Sequence, residues 1–443
     1  MAITNLSGRE FFFFELSVFE ALEGKLGNFS EQAEMEKYIE SIIKAQRPAT
    51  TKDEVSRIIS DAKSFFPIDK YLVDEEVEDI MINNTRNIFV YHSSQGDVKV
   101  PETLTDRSDL ELFVKKLRMY ATTASSKKNI FDVHLPNGSR ANIVDSPLGS
   151  DITIRNFKNK AFSVIDLINH GELSYSIAAR FWLYAEGLKI RPANMLIGGT
   201  PASGKTTMLN ALFSFFRPDQ RIIVIEDTYE LNTDTQENCV RLETSPDLTT
   251  KDLVKNSLRM RPDMIIIGEV RAEEAEDMMT AMNIGKIVIS TLHASTSRDV
   301  VTRLEHAPMN INKEIIPLID SIILVSRINQ NNIYQRKVTQ ISEISGIETQ
   351  VLLSDLYLYD YKTRKGSEIL PSITYRDTLS KLTGYPPSEI IREEYRRAKI
   401  LQKLNEMGIR DIKGINEFCR IYYEDQERAL NKIGLKGLGT LPW

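Results

Sequence analysis

Cysteine is nearly absent: the 443 residues contain two, Cys239 and Cys419, and neither belongs to a C-x-x-C pair. That excludes a disulfide-built scaffold and a cysteine zinc site, and it fits a reducing compartment. Histidine is also scarce. The five residues His92, His134, His170, His293 and His306 include no i, i+4 pair of the kind that binds zinc from one helix face. No run approaches the ~20 apolar residues of a membrane span. The only hydrophobic run near the start, Phe11 to Phe14, is bracketed by Glu10 and Glu15 and is too short for the core of a signal peptide. An excess of positive charge is missing as well: 56 Lys and Arg stand against 62 Asp and Glu, a net charge of -6 that makes nucleic acid an unlikely partner. The expectation is a cytoplasmic chain, peripheral to the inner face of the cell membrane, whose contact with the membrane runs through a partner. A hydrophobic content of 42% and a charged content of 27% belong to a globular protein, and the length allows two or three cores.

The texture of the chain changes four times. Residues 1–66 read as a helical N-terminal domain, with Met35, Tyr38, Ile39, Ile42 and Ile43 at helical spacing. Its Phe11 to Phe14 cluster is either helix-packing surface or a partner-docking site. Pro67 marks a boundary. Residues 67–157 alternate short strands, turns and one helix near 109–120, which gives a small α+β domain. Pro136-Asn137-Gly138 forms a hairpin turn that puts Arg140 just beyond its tip, and the strand 151–155 ends in Arg155. Residues 158–174 read as a linker, 175–345 as an α/β domain, and 346–443 as a strand pair followed by charged amphipathic helices such as 389–404.

The α/β domain contains the most informative stretch. Met195-Leu196-Ile197 reads as a buried strand and Met208-Leu209-Asn210-Ala211-Leu212 as a helix. Between them lies Gly199-Thr200-Pro201-Ala202-Ser203-Gly204-Lys205-Thr206-Thr207. Strand, G-x-x-x-x-G-K-T turn and helix together are the context that makes this spacing a phosphate loop. Glycines let successive N–H groups turn inward toward phosphate oxygens, and the new helix adds the positive end of its dipole. Lys205 is placed to reach the β and γ phosphates, and Thr206 to hold Mg²⁺, so ATP and Mg²⁺ are the expected ligands.

Three further apolar runs, 221–225, 264–267 and 286–292, have the continuous hydrophobicity of buried parallel strands, and each ends in polar residues. Carboxyl ends of such strands line the ligand crevice of an open α/β sheet. The first delivers Glu226, followed by Asp227 and Glu230; the second delivers Glu269; the third delivers His293. Glu269 is expected to act on the attacking water or on the Mg²⁺ shell, directly or through water. Gly268 stands where an aspartate is usual, so Glu269 acts alone or shares the work with Glu226 or Glu230. His293 could contact the γ-phosphate as a neutral imidazole.

As a set these motifs resemble the secretion and type IV pilus ATPase superfamily. Gly199 to Thr207 is similar to its Walker A, Glu226 to Glu230 to its aspartate box, Gly268-Glu269-Val270-Arg271 to its atypical Walker B, and Ser290 to Ala294 to its histidine box. Leu135 to Arg140 and Ile152 to Arg155 are similar to signature turns of the domain that precedes the motor core. The resemblance implies a RecA-like P-loop ATPase domain preceded by a smaller α+β, PAS-like domain. It further implies a homohexamer, with Arg140 and Arg155 supplying the added cations that phosphoryl transfer requires. Arg259, Arg271 and Arg303 are weaker candidates, each able to serve in a structural ion pair. The four-cysteine zinc insertion of one bacterial branch is missing, and Val240 to Thr244 looks like the archaeal and tight-adherence branch. The implied function is hydrolysis of ATP to power pilus or archaellum assembly, or secretion, through a polytopic membrane platform protein. Two alternatives remain open at the level of sequence: a nucleic-acid translocase, and a low-turnover nucleotide-binding regulatory module.

Overall fold

The computed structural model describes residues 8–27, 29, 31–121, 129–156, 161–245, 247–330, 333–437 and 439–440. Two compact units result: Met1–Asn159 with Asn331–Tyr334, and Lys160–Gln330 with Gln335–Trp443. The domain junction expected after residue 157 lies outside the described residues.

In the first unit, helices α1 (Gly8–Ala21), α2 (Gln32–Gln46), α3 (Lys52–Lys63) and α4 (Asp69–Leu72) precede strands β1 (Val77–Asn84), β2 (Asn87–His92) and β3 (Gly96–Lys99). Helix α5 (Arg107–Met119) and strands β4 (Ile130–His134), β5 (Arg140–Ser146) and β6 (Gly149–Arg155) follow. The antiparallel sheet has the order β3-β2-β1-β6-β5-β4. Helix α3 starts where Thr51 and Glu54 form a reciprocal capping box that satisfies two of its free N–H groups. The helices before residue 67 share one core with the sheet: Phe19, Ile39 and Ile58 are buried in the same cluster as Ile80, Phe113 and Ile154.

The second unit opens with α6 (Val164–Asn169) and α7 (Tyr175–Glu186), so the stretch read as a linker contains a helix. Strand β7 (Met195–Gly198), helix α8 (Lys205–Leu212), strands β8 (Ile222–Glu226) and β9 (Cys239–Glu243), helix α9 (Thr250–Ser257) and strand β10 (Met264–Ile267) follow. Then come α10 (Glu274–Asn283), β11 (Ile287–Leu292), α11 (Ser297–Glu305), β12 (Ser321–Gln330), β13 (Ile333–Ile347), β14 (Val351–Asp360) and β15 (Lys365–Glu368). Four helices close the unit: α12 (Thr374–Thr383), α13 (Pro387–Glu406), α14 (Ile412–Glu424) and α15 (Gln426–Lys432). The sheet order is β15-β14-β13-β12-β7-β11-β10-β8-β9, with β12 through β9 parallel and β14 and β15 added antiparallel. In the stretch after 345 read as opening on a strand pair, β14 and β15 pair antiparallel, with 351–360 forming one strand.

The continuous apolar runs follow from burial of both faces. Met195, Ile197, Val224, Ile266 and Ile289 point to a core shared with α7, α8, α13 and α14. Their alternate neighbours Leu196, Ile223, Ile265, Ile267 and Val288 point to a second core with Met278, Met282 and Val300 of α10 and α11. Period-two alternation therefore divides residues between two cores rather than between core and water.

The C-terminal helices are part of this fold. Arg397 of α13 is fully buried, donating from Nε to Glu393 (2.8 Å) and from Nη2 to Glu186 of α7 (2.7 Å). Its guanidinium lies 4.9 Å from the Trp182 ring centroid, and Trp182 Nε1 donates to Tyr423 of α14 at 2.7 Å. Two helices of the charged tail are thereby fixed to the helix that precedes the phosphate loop.

Candidate active site

The loop from Gly199 to Gly204 takes its shape from three positions. Ala202 and Gly204 have φ of 58° and 99°, left-handed values that curl the chain before α8 begins. At Gly199 a Cβ would lie 2.3 Å from Ser203 Oγ and 2.5 Å from the Val325 carbonyl, so only glycine lets the loop close over the end of β7. Ser203 Oγ is buried without a hydrogen-bond partner, an orphaned donor that fits a phosphate oxygen. The cradle therefore fits a polyphosphate. Thr206 and Thr207 follow in the first turn of α8, half-buried.

Lys205 reaches back over the loop, donating to Gly199 O (3.1 Å) and Thr200 O (3.2 Å) and lying 3.2 Å from His293 Nδ1. Burial lowers the pKa of its ammonium, against the charges of Glu269 and Glu230, which raise it. Both carboxylates therefore act electrostatically on the lysine.

Glu269 lies just beyond β10 and His293 just beyond β11. Glu269 Oε1 is 3.0 Å from His293 Nε2, and Oε2 accepts from Arg271 Nη2 at 2.9 Å. His293 Nδ1 lies 3.2 Å from both Lys205 Nζ and the Gly199 carbonyl, while Glu269 Oε1, close to Nε2, takes no hydrogen bond among the described residues. Arg271 Nη1 lies 3.2 Å from Asp227 Oδ2, so the guanidinium spans the ends of β8 and β10. Burial alone would raise the pKa of Glu269, but Arg271, His293 and Lys205 outweigh it and hold the group below the ordinary carboxylate value. The result is an ionised carboxylate linked through the His293 ring to Lys205, the one cation of the phosphate loop.

Glu226 has turned inward. Its Oε1 accepts from the N–H groups of Glu230 and Leu231, each at 2.9 Å, and Oε2 lies 3.4 Å from Arg241 Nη2. Burial pushes this carboxyl up to about 7 despite those donors. It shapes the loop that carries Glu230. Arg140 and Arg155 belong to the first unit, where they occupy directly paired positions on β5 and β6. Arg140 Nη2 is 3.1 Å from Asp132, and Arg155 Nε is 3.4 Å from Asp79.

Arg336 escaped the sequence reading. It stands on β13, far along the chain, and its Nε donates to the Ala202 carbonyl at 3.3 Å. No spacing in the sequence announces that contact; the neighbouring positions of β7, β12 and β13 create it. Among the described residues no group of three or more His, Cys, Asp or Glu is arranged to hold a metal, so a cation at Thr206 and Glu269 would be held jointly with phosphate oxygens. Among the same residues no helix is long and apolar enough to cross a membrane.

Several known proteins are similar. The uncharacterized protein MJ0900 of Methanocaldococcus jannaschii is 31% identical over 387 residues, covering 84% of this chain and 67% of that protein. The conjugal transfer protein TrbB of Rhizobium radiobacter is 28% identical over 292 residues, covering 62% of this chain and 86% of TrbB. Among solved structures, the Legionella pneumophila ATPase DotB is 19% identical, with 74% of this chain and 86% of DotB covered at a TM-score of 0.47. Residues 61–349, which include β7, the phosphate loop, Glu269 and His293, match the type II/IV secretion system protein family, and the chain belongs to that family.

Proposed function

We propose that this chain is an ATPase that hydrolyses ATP to ADP and phosphate and couples the reaction to assembly or secretion of pilus-like filaments. The observation that carries the reading is the line of contacts from the phosphate loop through Lys205 and His293 to Glu269. Family membership supports the secretion role, and the resemblance of Val240 to Thr244 to the archaeal and tight-adherence branch is the ground for proposing an archaeal pilus or archaellum motor. In this reading six chains form a ring that works on a polytopic membrane platform protein from the cytoplasmic side.

The inward N–H groups of the loop and Lys205 bind the β and γ phosphates. To do so Lys205 leaves the carbonyls of Gly199 and Thr200 and exchanges one set of partners for another. Thr206 and Glu269 would hold Mg²⁺, whose charge would neutralise phosphate oxygens when bound. Glu269, kept ionised by its cationic neighbours, orients the attacking water. His293 touches both Lys205 and Glu269, so loss of the γ-phosphate is felt at the ends of β10 and β11. Glu226 is a positioning residue for the loop of Glu230.

Lys205→Ala should abolish tight ATP binding, because no other cation lies in the loop. Glu269→Gln should bind ATP as the wild type does and turn it over at least about a hundredfold more slowly. Nucleotide affinity and phosphate release measured on both variants test this, and normal turnover in either one sinks the assignment.

A further inference from the structure

Ala202 is the position of the phosphate loop that the loop's own sequence does not account for. Its φ of 58° is left-handed, a region where a side chain crowds the backbone and which glycine enters freely. Gly204, two residues on, has φ of 99° and meets that demand by being glycine. An alanine stays in such a conformation only where its surroundings hold it there.

Arg336 of β13 supplies the hold, its Nε donating to the Ala202 carbonyl at 3.3 Å. A carbonyl turns with the backbone angles of its own residue, so a donor fixed against it favours those angles. Gly204 leaves the room for this contact, since a Cβ there would lie 3.0 Å from Arg336 Cδ. The strand carrying Arg336 is anchored at the next two residues: Lys337 Nζ donates to the Gly171 carbonyl at 2.6 Å, and Val338 N to the Glu172 carbonyl at 2.9 Å. The hydroxyls of Ser326 on β12 and Thr339 on β13 are 3.0 Å apart, and β12 pairs with β7, from which the loop springs. The loop and its support therefore stand on one sheet, two strands apart.

The peptide held in this way leads into Ser203, whose buried Oγ is the orphaned donor of the cradle. Lys205 also steadies the loop through the carbonyls of Gly199 and Thr200, but it gives those contacts up in taking the phosphates. The contact on Ala202 is made by a different side chain and is not part of that exchange. We propose that Arg336 is a positioning residue of the nucleotide site, acting through Ala202: it keeps the turn in the conformation in which the loop and Ser203 Oγ receive phosphate. This rests on the nucleotide-binding reading above.

The test is a double-mutant cycle read by binding of ATP and of inorganic tripolyphosphate to the full chain. Arg336→Ala lets Ala202 leave the left-handed region, and affinity falls with the fraction of chains whose loop stays ready, by about tenfold for both ligands. Ala202→Gly removes the steric reason for leaving, because glycine occupies that region without strain. With Ala202→Gly already present, adding Arg336→Ala should change both affinities by less than about twofold. An equal loss with and without Ala202→Gly overturns the proposal, because the arginine then acts on phosphate itself or on the fold at large. No loss in Arg336→Ala, or a loss for ATP with tripolyphosphate unchanged, overturns it as well. Failure of the wild-type chain to bind either ATP or tripolyphosphate overturns the parent reading, and this one with it.

Discussion

Gly268 occupies the position where an aspartate is usual, and its surroundings give the reason. A Cβ there would lie 3.3 Å from the Ile225 carbonyl and 3.4 Å from Glu226 Cγ, so the inward turn of Glu226 and the missing side chain are one arrangement. Gly268→Asp should therefore cost about 1–3 kcal/mol of stability and bring no gain in turnover. Denaturant midpoints and phosphate release check both halves of that statement. Glu226 itself makes stability depend on pH. Its folded pKa of about 7 is above the ordinary 4.5, so the folded chain holds a proton that the unfolded chain releases between those values. Its contribution is complete below pH 4.5 and is lost as pH rises through 7. Glu226→Gln keeps an acceptor for Glu230 and Leu231 but carries no ionisation, so the variant should gain on the wild type by roughly 3 kcal/mol across that interval and level off above it. Urea titrations of both proteins across that range measure the gap, and a gap independent of pH contradicts it. Lys205 was legible in the sequence from the spacing of the glycine-rich loop, and Glu269 and His293 because each lies just beyond a buried apolar strand. The inward role of Glu226, the reach of Arg271 to Asp227, and Arg336 were not, since they depend on which strands lie side by side and how the loops after them fold.

Elements differed in how plainly they announced themselves. The parallel strands β8, β10 and β11 were legible as apolar runs because both of their faces are buried. Strand β1 was not, because a register shift between Val77 and Asp79 breaks its alternation just where acidic residues enter. Strand β13 hides behind Gln, Arg, Lys and Ser residues, and its pairing shifts register near Gly346. The charged tail was legible as amphipathic helices, but not that Glu393 and Arg397 of α13 are fully buried. Removing Arg397 strands the carboxylates of Glu186 and Glu393, and breaking a buried pair of this kind costs about 3–5 kcal/mol. Arg397→Ala should therefore loosen α13 and α14 from α7. The thiol of Cys419, fully buried in α14 and pushed up in pKa by that burial, reports the opening. It should react with a thiol reagent much faster in Arg397→Ala than in the wild type, whereas the half-buried Cys239 should react at an unchanged rate. Equal protection of Cys419 in both proteins assigns the network no anchoring role.

At the scale of the whole molecule, the arginines of the second unit beside the phosphate loop are already engaged, Arg271 with Glu269 and Asp227 and Arg336 with the Ala202 carbonyl. Lys205 is the cation of the phosphate loop, and phosphoryl transfer is accelerated greatly by arginines that meet the developing charge. In the proposed function the further cations would be Arg140 and Arg155 of the first unit. Arg140 and Arg155 are side by side on β5 and β6, and the ion pairs they make with Asp132 and Asp79 are at least partly exposed. Pairs of that kind are worth at most about 1 kcal/mol each. Arg140→Ala and Arg155→Ala should each leave ATP affinity within a few-fold and lower turnover by at least about a hundredfold, with circular dichroism unchanged. In a ring where a neighbouring chain supplies these arginines, turnover per chain must also depend on assembly. It should rise with protein concentration and level off where sedimentation finds the six-chain species. Mixing Arg155→Ala chains with Lys205→Ala chains should then restore part of the activity that neither has alone, because an intact loop on one chain meets an intact arginine on the next. A mixture as inactive as its components, together with turnover that persists at concentrations where the chain sediments as a monomer, confines the reaction to single chains.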